Sequence, residues 1–179
     1  MHAIVSLMDE RHYTLMEDYW HKLETACGLA GVSQTPLPHF SWHIAAEYDF
    51  PRLEETLSEF SKELEPFIVR TAGLGLFTGD LPVIFVPLIK DLKLAGVHER
   101  LWVRSQPTAI GASSHYSPEV WMPHITLAHG DVSRDKLGCA MQDLAFQPFN
   151  WEVRVDHFAL VYQFSGQTGK IQSKFPFSG

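Results

Sequence analysis

Trp121-Met122-Pro123-His124-Ile125-Thr126-Leu127-Ala128 carries a histidine and a threonine two positions apart in a stretch that reads as a strand. Side chains at i and i+2 leave a strand on one face. His124 and Thr126 therefore point the same way, and Ile125 and Leu127 point into a core. An imidazole and a hydroxyl on one face offer a proton carrier and a neutral donor to a single anionic group. An earlier stretch echoes this one. Phe40-Ser41-Trp42-His43-Ile44-Ala45-Ala46 aligns with Trp121 to Leu127, with an aromatic residue three positions before each histidine and His-Ile at each centre. A helix start follows each, at Pro51 and at Ser133. The pattern reads as a strand-then-helix unit used twice. Two histidines on related strands, His43 and His124, would then face each other across a cleft, one as general base and the other as general acid.

The elements that must hold these side chains follow from periodicity and punctuation. Ala3 to Met8 reads as a core strand, and Asp9 caps the helix after it. Leu15, Met16, Tyr19, Trp20, Leu23, Ala26 and Cys27 recur there at helical spacing, and Gly28 and Gly31 end the run. His39 to Tyr48 is the first histidine strand. Pro51 opens a second helix whose buried stripe is Leu53, Leu57, Phe60 and Leu64. Phe67 to Phe77 reads as one strand, Thr78 to Pro82 as a turn, and Val83 to Ile89 as the hairpin partner. Asp91 starts a third helix, Pro107 to Pro118 is a polar loop, and Ser133 caps a fourth helix. Trp151 to Phe164 and Lys170 to Phe177 are two last strands, joined by a turn over Ser165 to Gly169. About four helices and seven strands make an α+β chain, one unit over residues 1–179 with two pseudo-repeated lobes.

Composition narrows the partners. A chain of 179 residues with 45% hydrophobic and 20% charged residues is an ordinary globular sequence. Its net charge of −7 argues against broad binding to a nucleic acid backbone and leaves room for a small nucleotide or an RNA end. No apolar run is long enough to span a membrane, and the N-terminus lacks the basic start of a secretory signal. Cys27 and Cys139 read as buried thiols, which places the chain in a reducing cytoplasm. A monomer is expected. No metal site is expected: His39 and His43 lie on one strand face but too far apart, and His124 and His129 should face opposite ways.

The order and spacing of these segments resemble the 2H phosphoesterase superfamily, the 2',5'-RNA ligase and cyclic phosphodiesterase group, over most of the chain. That family is defined by two His-x-Thr/Ser-x strands in a bilobal α+β fold. Pro123-His124-Ile125-Thr126-Leu127-Ala128 matches its second motif. Gly73-Leu74-Gly75-Leu76-Phe77, with Pro82 and Val83 to Val86 after it, resembles the segment between the motifs. The first motif departs from the pattern, because His43-Ile44-Ala45-Ala46 has Ala45 where the family has Thr or Ser. Losing one hydrogen bond to a charged group costs roughly 1.5–3 kcal/mol, about a tenfold to 150-fold loss in rate. Ser41 is the candidate replacement donor, by parity with His43 along the strand.

The resemblance implies two lobes of mainly antiparallel sheet, helices outside and a central cleft. It implies metal-independent, cofactor-free hydrolysis of 2',3'-cyclic phosphate ends of RNA or small nucleotides, with reversible 2',5' ligation beside it. His43 and His124 would carry protons, and Thr126, Ser41 and Phe77 would contact substrate. Two other readings stand beside it. One is a non-catalytic nucleotide or RNA-end binding module, marked by Ala45. The other is a cyclic phosphodiesterase for a non-RNA small nucleotide, such as ADP-ribose 1'',2''-cyclic phosphate.

Overall fold

The computed structural model describes residues 2–162 and 169–179. In chain order the elements are β1 (His2–Leu7), α1 (Glu10–Cys27), β2 (His39–Tyr48), α2 (Phe50–Ser61), β3 (Phe67–Arg70), β4 (Gly75–Phe77), β5 (Val83–Pro87), α3 (Leu92–Ser105), β6 (Ala109–Ala112), β7 (His124–Ala128), α4 (Arg134–Leu144), β8 (Glu152–Val155), β9 (His157–Tyr162) and β10 (Lys170–Pro176). Each helix starts at a side chain that takes a free backbone N–H of its first turn. Asp9 accepts from His12 N, Asp49 from Arg52 N, Asp91 from Leu94 N and Ser133 from Lys136 N. Gly28 ends α1 in the left-handed region at φ 66°, a conformation that costs a side-chain-bearing residue.

The main sheet runs β10-β9-β1-β2-β7-β5-β4, with β6 also paired on β2. Its pairings are antiparallel. The two histidine strands, β2 and β7, are neighbours at its centre. A single ladder pair, Phe40 with Ile125, joins them. One wing of the sheet is thus β10-β9-β1-β2 and the other β7-β5-β4, with strand-then-helix units β2–α2 and β7–α4 at the join. The core includes Phe40, Trp42, Phe60, Phe149 and Phe158, all almost fully buried.

Three expectations are corrected here. The stretch from Phe67 to Phe77 is two strands in two sheets: β3 pairs with β8, and β4 pairs with β5. Trp151 to Phe164 likewise divides into β8 and β9, so β3 and β8 form a separate two-stranded sheet. The polar loop from Pro107 hides β6, whose Ile110 and Gly111 are exposed and give no buried alternation to read. Of the expected turn, Ser165 to Thr168 lie outside the described residues.

A fourth correction decides where the site lies. Along β1 and β2, Ile4 pairs with His43 and Val5 with Ser41, so Trp42 is an extra residue in β2. Such a bulge breaks the period of two. His39 and Ser41 stay half-buried on one face, while Phe40, Trp42, His43 and Ala45 are all buried. His39 and His43 therefore do not share a face, although their spacing alone says that they should.

The cysteines form a disulfide, Cys27–Cys139, between the end of α1 and the middle of α4. This overturns the reading as buried thiols, and with it the argument for a reducing compartment. The residues lie 112 positions apart, a separation that no local pattern reveals. Chain-entropy arguments give a loop of that size about 4.7 kcal/mol of stabilisation. Thermal melts with and without reductant should therefore differ by several degrees, and Cys27→Ser should match the reduced wild type. Coincident melts would show that the bridge contributes nothing.

Candidate active site

His39, Ser41, His124 and Thr126 line one cavity of about 350 Å³. The strands that carry them meet at Phe40 and Ile125, which both turn into the core at 0% exposure. Antiparallel pairing then sets His39 beside Thr126 and Ser41 beside His124. The two segments are a repeat: Leu37-Pro38-His39-Phe40-Ser41-Trp42 and Met122-Pro123-His124-Ile125-Thr126-Leu127. The hydrogen bonds repeat as well. His39 Nδ1 donates to the Leu37 carbonyl, and His124 Nδ1 donates to the Met122 carbonyl at 2.7 Å. A carbonyl only accepts, so Nδ1 carries the proton in both rings. Nε2 is left for the cavity, a base when the ring is neutral and an acid when it is protonated.

His43 is elsewhere. It is 0% exposed and does not line the cavity. Its Nδ1 shares a 2.5 Å hydrogen bond with the Tyr48 hydroxyl, its ring packs 4.8 Å from that of Trp102, and its Nε2 has no partner. The expectation that His43 faces His124 across a cleft is not met. Ala45, 1% exposed, lies in the core beside it, so it marks no gap in a phosphate site. The His-x-Ser string that answers the second motif begins earlier in the strand, at His39. The signal was present in the sequence as a proline before each histidine and a hydroxyl two residues after it.

The other expected residues keep company with His124. Phe77 stacks on Phe85 at 4.1 Å and meets the His124 ring edge to face at 5.0 Å. It also lines a second cavity of about 470 Å³ with His115, Val120 and Met122. Gly75 makes that packing feasible, because a Cβ there would sit 2.2 Å from the Phe85 ring. His124 and Tyr116 line both cavities. Tyr116 lines the first cavity together with Ser41, and burial raises its pKa, which keeps the phenol protonated.

His129, Trp20 and Tyr116 are cavity residues that strand parity does not find. β7 ends at Ala128, so the alternation lapses before His129, which turns to the cavity beside His39. Its backbone is set by the Ala30–Gly31 turn: Ala30 N donates to Asp131 at 2.8 Å, and a Cβ on Gly31 would overlap the His129 carbonyl at 1.7 Å. Among the described residues lining this cavity there is no lysine or arginine. The described side chains there that can carry a positive charge are imidazoles. Burial lowers the pKa of His39, against the Leu37 carbonyl and with a smaller push from His124 and His129. Burial lowers that of His124 too, against the Met122 carbonyl. Among the described residues, no three His, Cys, Asp or Glu side chains are grouped to hold a metal ion. No described helix is long and apolar enough to cross a membrane.

Two histidine–hydroxyl strands are thus paired at the centre of an open antiparallel sheet, with helices around them. The chain belongs to the 2'-5' RNA ligase superfamily, whose family model matches residues 14–166. It is 26% identical over 141 residues to "Putative phosphoesterase OB1230" of Oceanobacillus iheyensis, covering 77% of this chain and 78% of that one. The crystal structure of TT0787 of Thermus thermophilus superposes with a TM-score of 0.71 at 19% identity, over 99% of this chain and 98% of that one. Kluyveromyces marxianus Usb1 with uridine monophosphate superposes with a TM-score of 0.52 at 10% identity, over 98% and 97%. These two likenesses establish the fold.

Proposed function

We propose that this protein hydrolyses 2',3'-cyclic phosphate ends of RNA or of small nucleotides, with His39 and His124 as the proton carriers. The observation that carries the reading is the matched pair of Pro-His-x-Ser/Thr strands, joined at Phe40 and Ile125, with both Nδ1 atoms held on backbone carbonyls beside one cavity. One neutral imidazole takes a proton from water as its oxygen attacks phosphorus. The bond from phosphorus to the ribose 3'-oxygen breaks, and the other, protonated imidazole delivers a proton to that oxygen. The product is a 2'-phosphate; a 5'-hydroxyl attacking in place of water, with the same bond to the 3'-oxygen broken, gives a 2',5' linkage instead. Ser41 and Thr126 hold the non-bridging oxygens by neutral hydrogen bonds. The cavity lined by Phe77, Val120 and Met122 takes the nucleoside, with Phe77 at its junction with His124. The scheme uses no metal. It is supported by the uridine monophosphate bound in the Usb1 neighbour and by the phosphoesterase relative.

The test is turnover of 2',3'-cyclic nucleotides and of ADP-ribose 1'',2''-cyclic phosphate with chelator present, the products being assigned by phosphorus NMR. Chelator-resistant formation of a 2'-phosphate is expected. Turnover of the ADP-ribose compound alone would move the substrate away from RNA, and no turnover of either would reject the reading.

The pH profile has a sign as well. Both cleft histidines titrate below their ordinary 6.5 in the free protein. The acid form is lost as pH rises through the higher of the two values, and the base form is lost as pH falls through the lower. The maximum of kcat/KM, which reports the free enzyme, should therefore lie on the acid side of 6.5. A maximum above pH 7.5 would show that the two rings are not the titrating pair.

A further inference from the structure

The two motif strands share one ladder pair, Phe40 with Ile125. That is little backbone pairing to fix the separation of two groups that must both reach one phosphorus. Strands joined so briefly take their spacing from whatever else binds their backbones. Two tryptophans do so, in matching places. Trp121 donates its indole N–H to the carbonyl of Ser41 at 3.0 Å. Trp20 donates its indole N–H to the carbonyl of Thr126, also at 3.0 Å. Each carbonyl belongs to the hydroxyl-bearing residue of a motif. The carbonyl of residue i fixes the peptide plane that follows it and so limits where that residue's side chain can point.

Both indoles are themselves held. Trp121 is 3% exposed and lies parallel to the ring of His98 at 3.7 Å, and that ring bonds the Trp42 carbonyl at the bulge. Trp121 also begins the second motif segment, so the second strand reaches over and fixes the first. Trp20 packs from α1 against the core and lines the cavity, so the helix fixes the second strand.

We propose that Trp20 and Trp121 are positioning residues, whose indole N–H groups set the approach of the Ser41 and Thr126 hydroxyls and of the imidazoles beside them. This rests on the reading of the His39–His124 cavity as the reacting site. The N–H, and not the bulk of the ring, is the acting group. Phenylalanine keeps most of the ring and has no donor.

The experiment compares Trp20→Phe, Trp121→Phe and Trp151→Phe. Trp151 makes the same kind of bond, from its indole N–H to the Pro148 carbonyl at 2.9 Å, and does not line the cavity. All three variants lose one indole–carbonyl bond, so all three should melt somewhat lower. Only the first two should lose kcat, by about tenfold with KM within about twofold, because small misplacements of reacting groups are costly. Imidazole nitrogen NMR gives a readout that needs no turnover. Resonances of His39 and His124 should move in Trp20→Phe and Trp121→Phe and stay fixed in Trp151→Phe. If wild type turns nothing over, the functional reading fails and the imidazole spectra alone decide the positioning. Folded Trp20→Phe and Trp121→Phe with wild-type kcat, or with unmoved His39 and His124 resonances, would overturn it.

Discussion

His39→Ala and His124→Ala should each lower turnover of a cyclic nucleotide by roughly 10²–10⁴, the range that one general acid or base contributes. His43→Ala should leave kcat per folded molecule within about threefold. The contrast is sharp because His39 and His43 lie four residues apart on one strand and differ in the face that they present. His39 lines the cavity and has its Nδ1 on a carbonyl, as His124 does. His43 is sealed between Tyr48 and Trp102. Removing its ring leaves a void and strips the Tyr48 hydroxyl of its partner, for a loss of about 2–4 kcal/mol in stability. Ala45→Thr belongs to the same experiment. If Ala45 marked a damaged phosphate site, threonine would raise turnover. At 1% exposure the added hydroxyl and methyl enter a packed core, and a lower melting temperature without gain in kcat is expected. A folded His43→Ala protein without activity, beside an active His39→Ala, would reverse the assignment.

The faces of β7 were legible in the sequence and those of β2 were not, because β2 carries a bulge. Ile125 and Leu127 alternate cleanly with His124 and Thr126, so a period of two gives the right faces. In β2 the same rule fails at Trp42. The bulge adds one residue, and every parity argument carried across it changes sign. His43-Ile44 also looks more like His124-Ile125 than His39-Phe40 does, so identity at one neighbour outweighed the hydroxyl two positions on. Caps and helices were legible because their signals are local: Asp9, Asp91 and Ser133 cap as expected. The β4–β5 hairpin was legible for the same reason. The division of Phe67 to Phe77 between two sheets was not, since β3 is completed by β8 from more than eighty positions away. The Cys27–Cys139 bridge and the two indole–carbonyl bonds are tertiary in the same sense. The bridge and the Trp20 bond close only when α1 has docked against α4 and β7, and the Trp121 bond only when the segment before β7 has met β2.

Stability should fall steeply between pH 6.5 and pH 4, well before most carboxylates protonate. Two histidines that do no chemistry in the proposed site drive this. Burial lowers the pKa of His43 to about 4, with a smaller contribution from the nearby His98. Burial lowers that of His98 to about 4 as well, with Lys90 adding to it and the carbonyls of Trp42 and Tyr116 opposing it. In the unfolded chain both titrate near 6.5. Between the two values the unfolded state holds a proton that the folded state refuses, so unfolding gains as pH falls. The stability these two groups lend is complete above pH 6.5, is lost as pH drops toward 4, and changes little further below that. Each shift corresponds to about 3 kcal/mol. His39, His124 and His157 are lowered by burial too and steepen the same fall. Asp9, Asp131 and Asp156 have lowered values, so their contribution persists to lower pH and is lost there. Denaturant unfolding measured at pH 7, 5.5 and 4.5 should show this slope. His98→Phe retains a ring against Trp121 and removes one refused proton, so its slope should be shallower than that of wild type by about one proton per molecule. Equal slopes would mean that His98 does not titrate in this window, and a wild-type stability that is flat from 6.5 to 4 would show that neither imidazole is held neutral by the core.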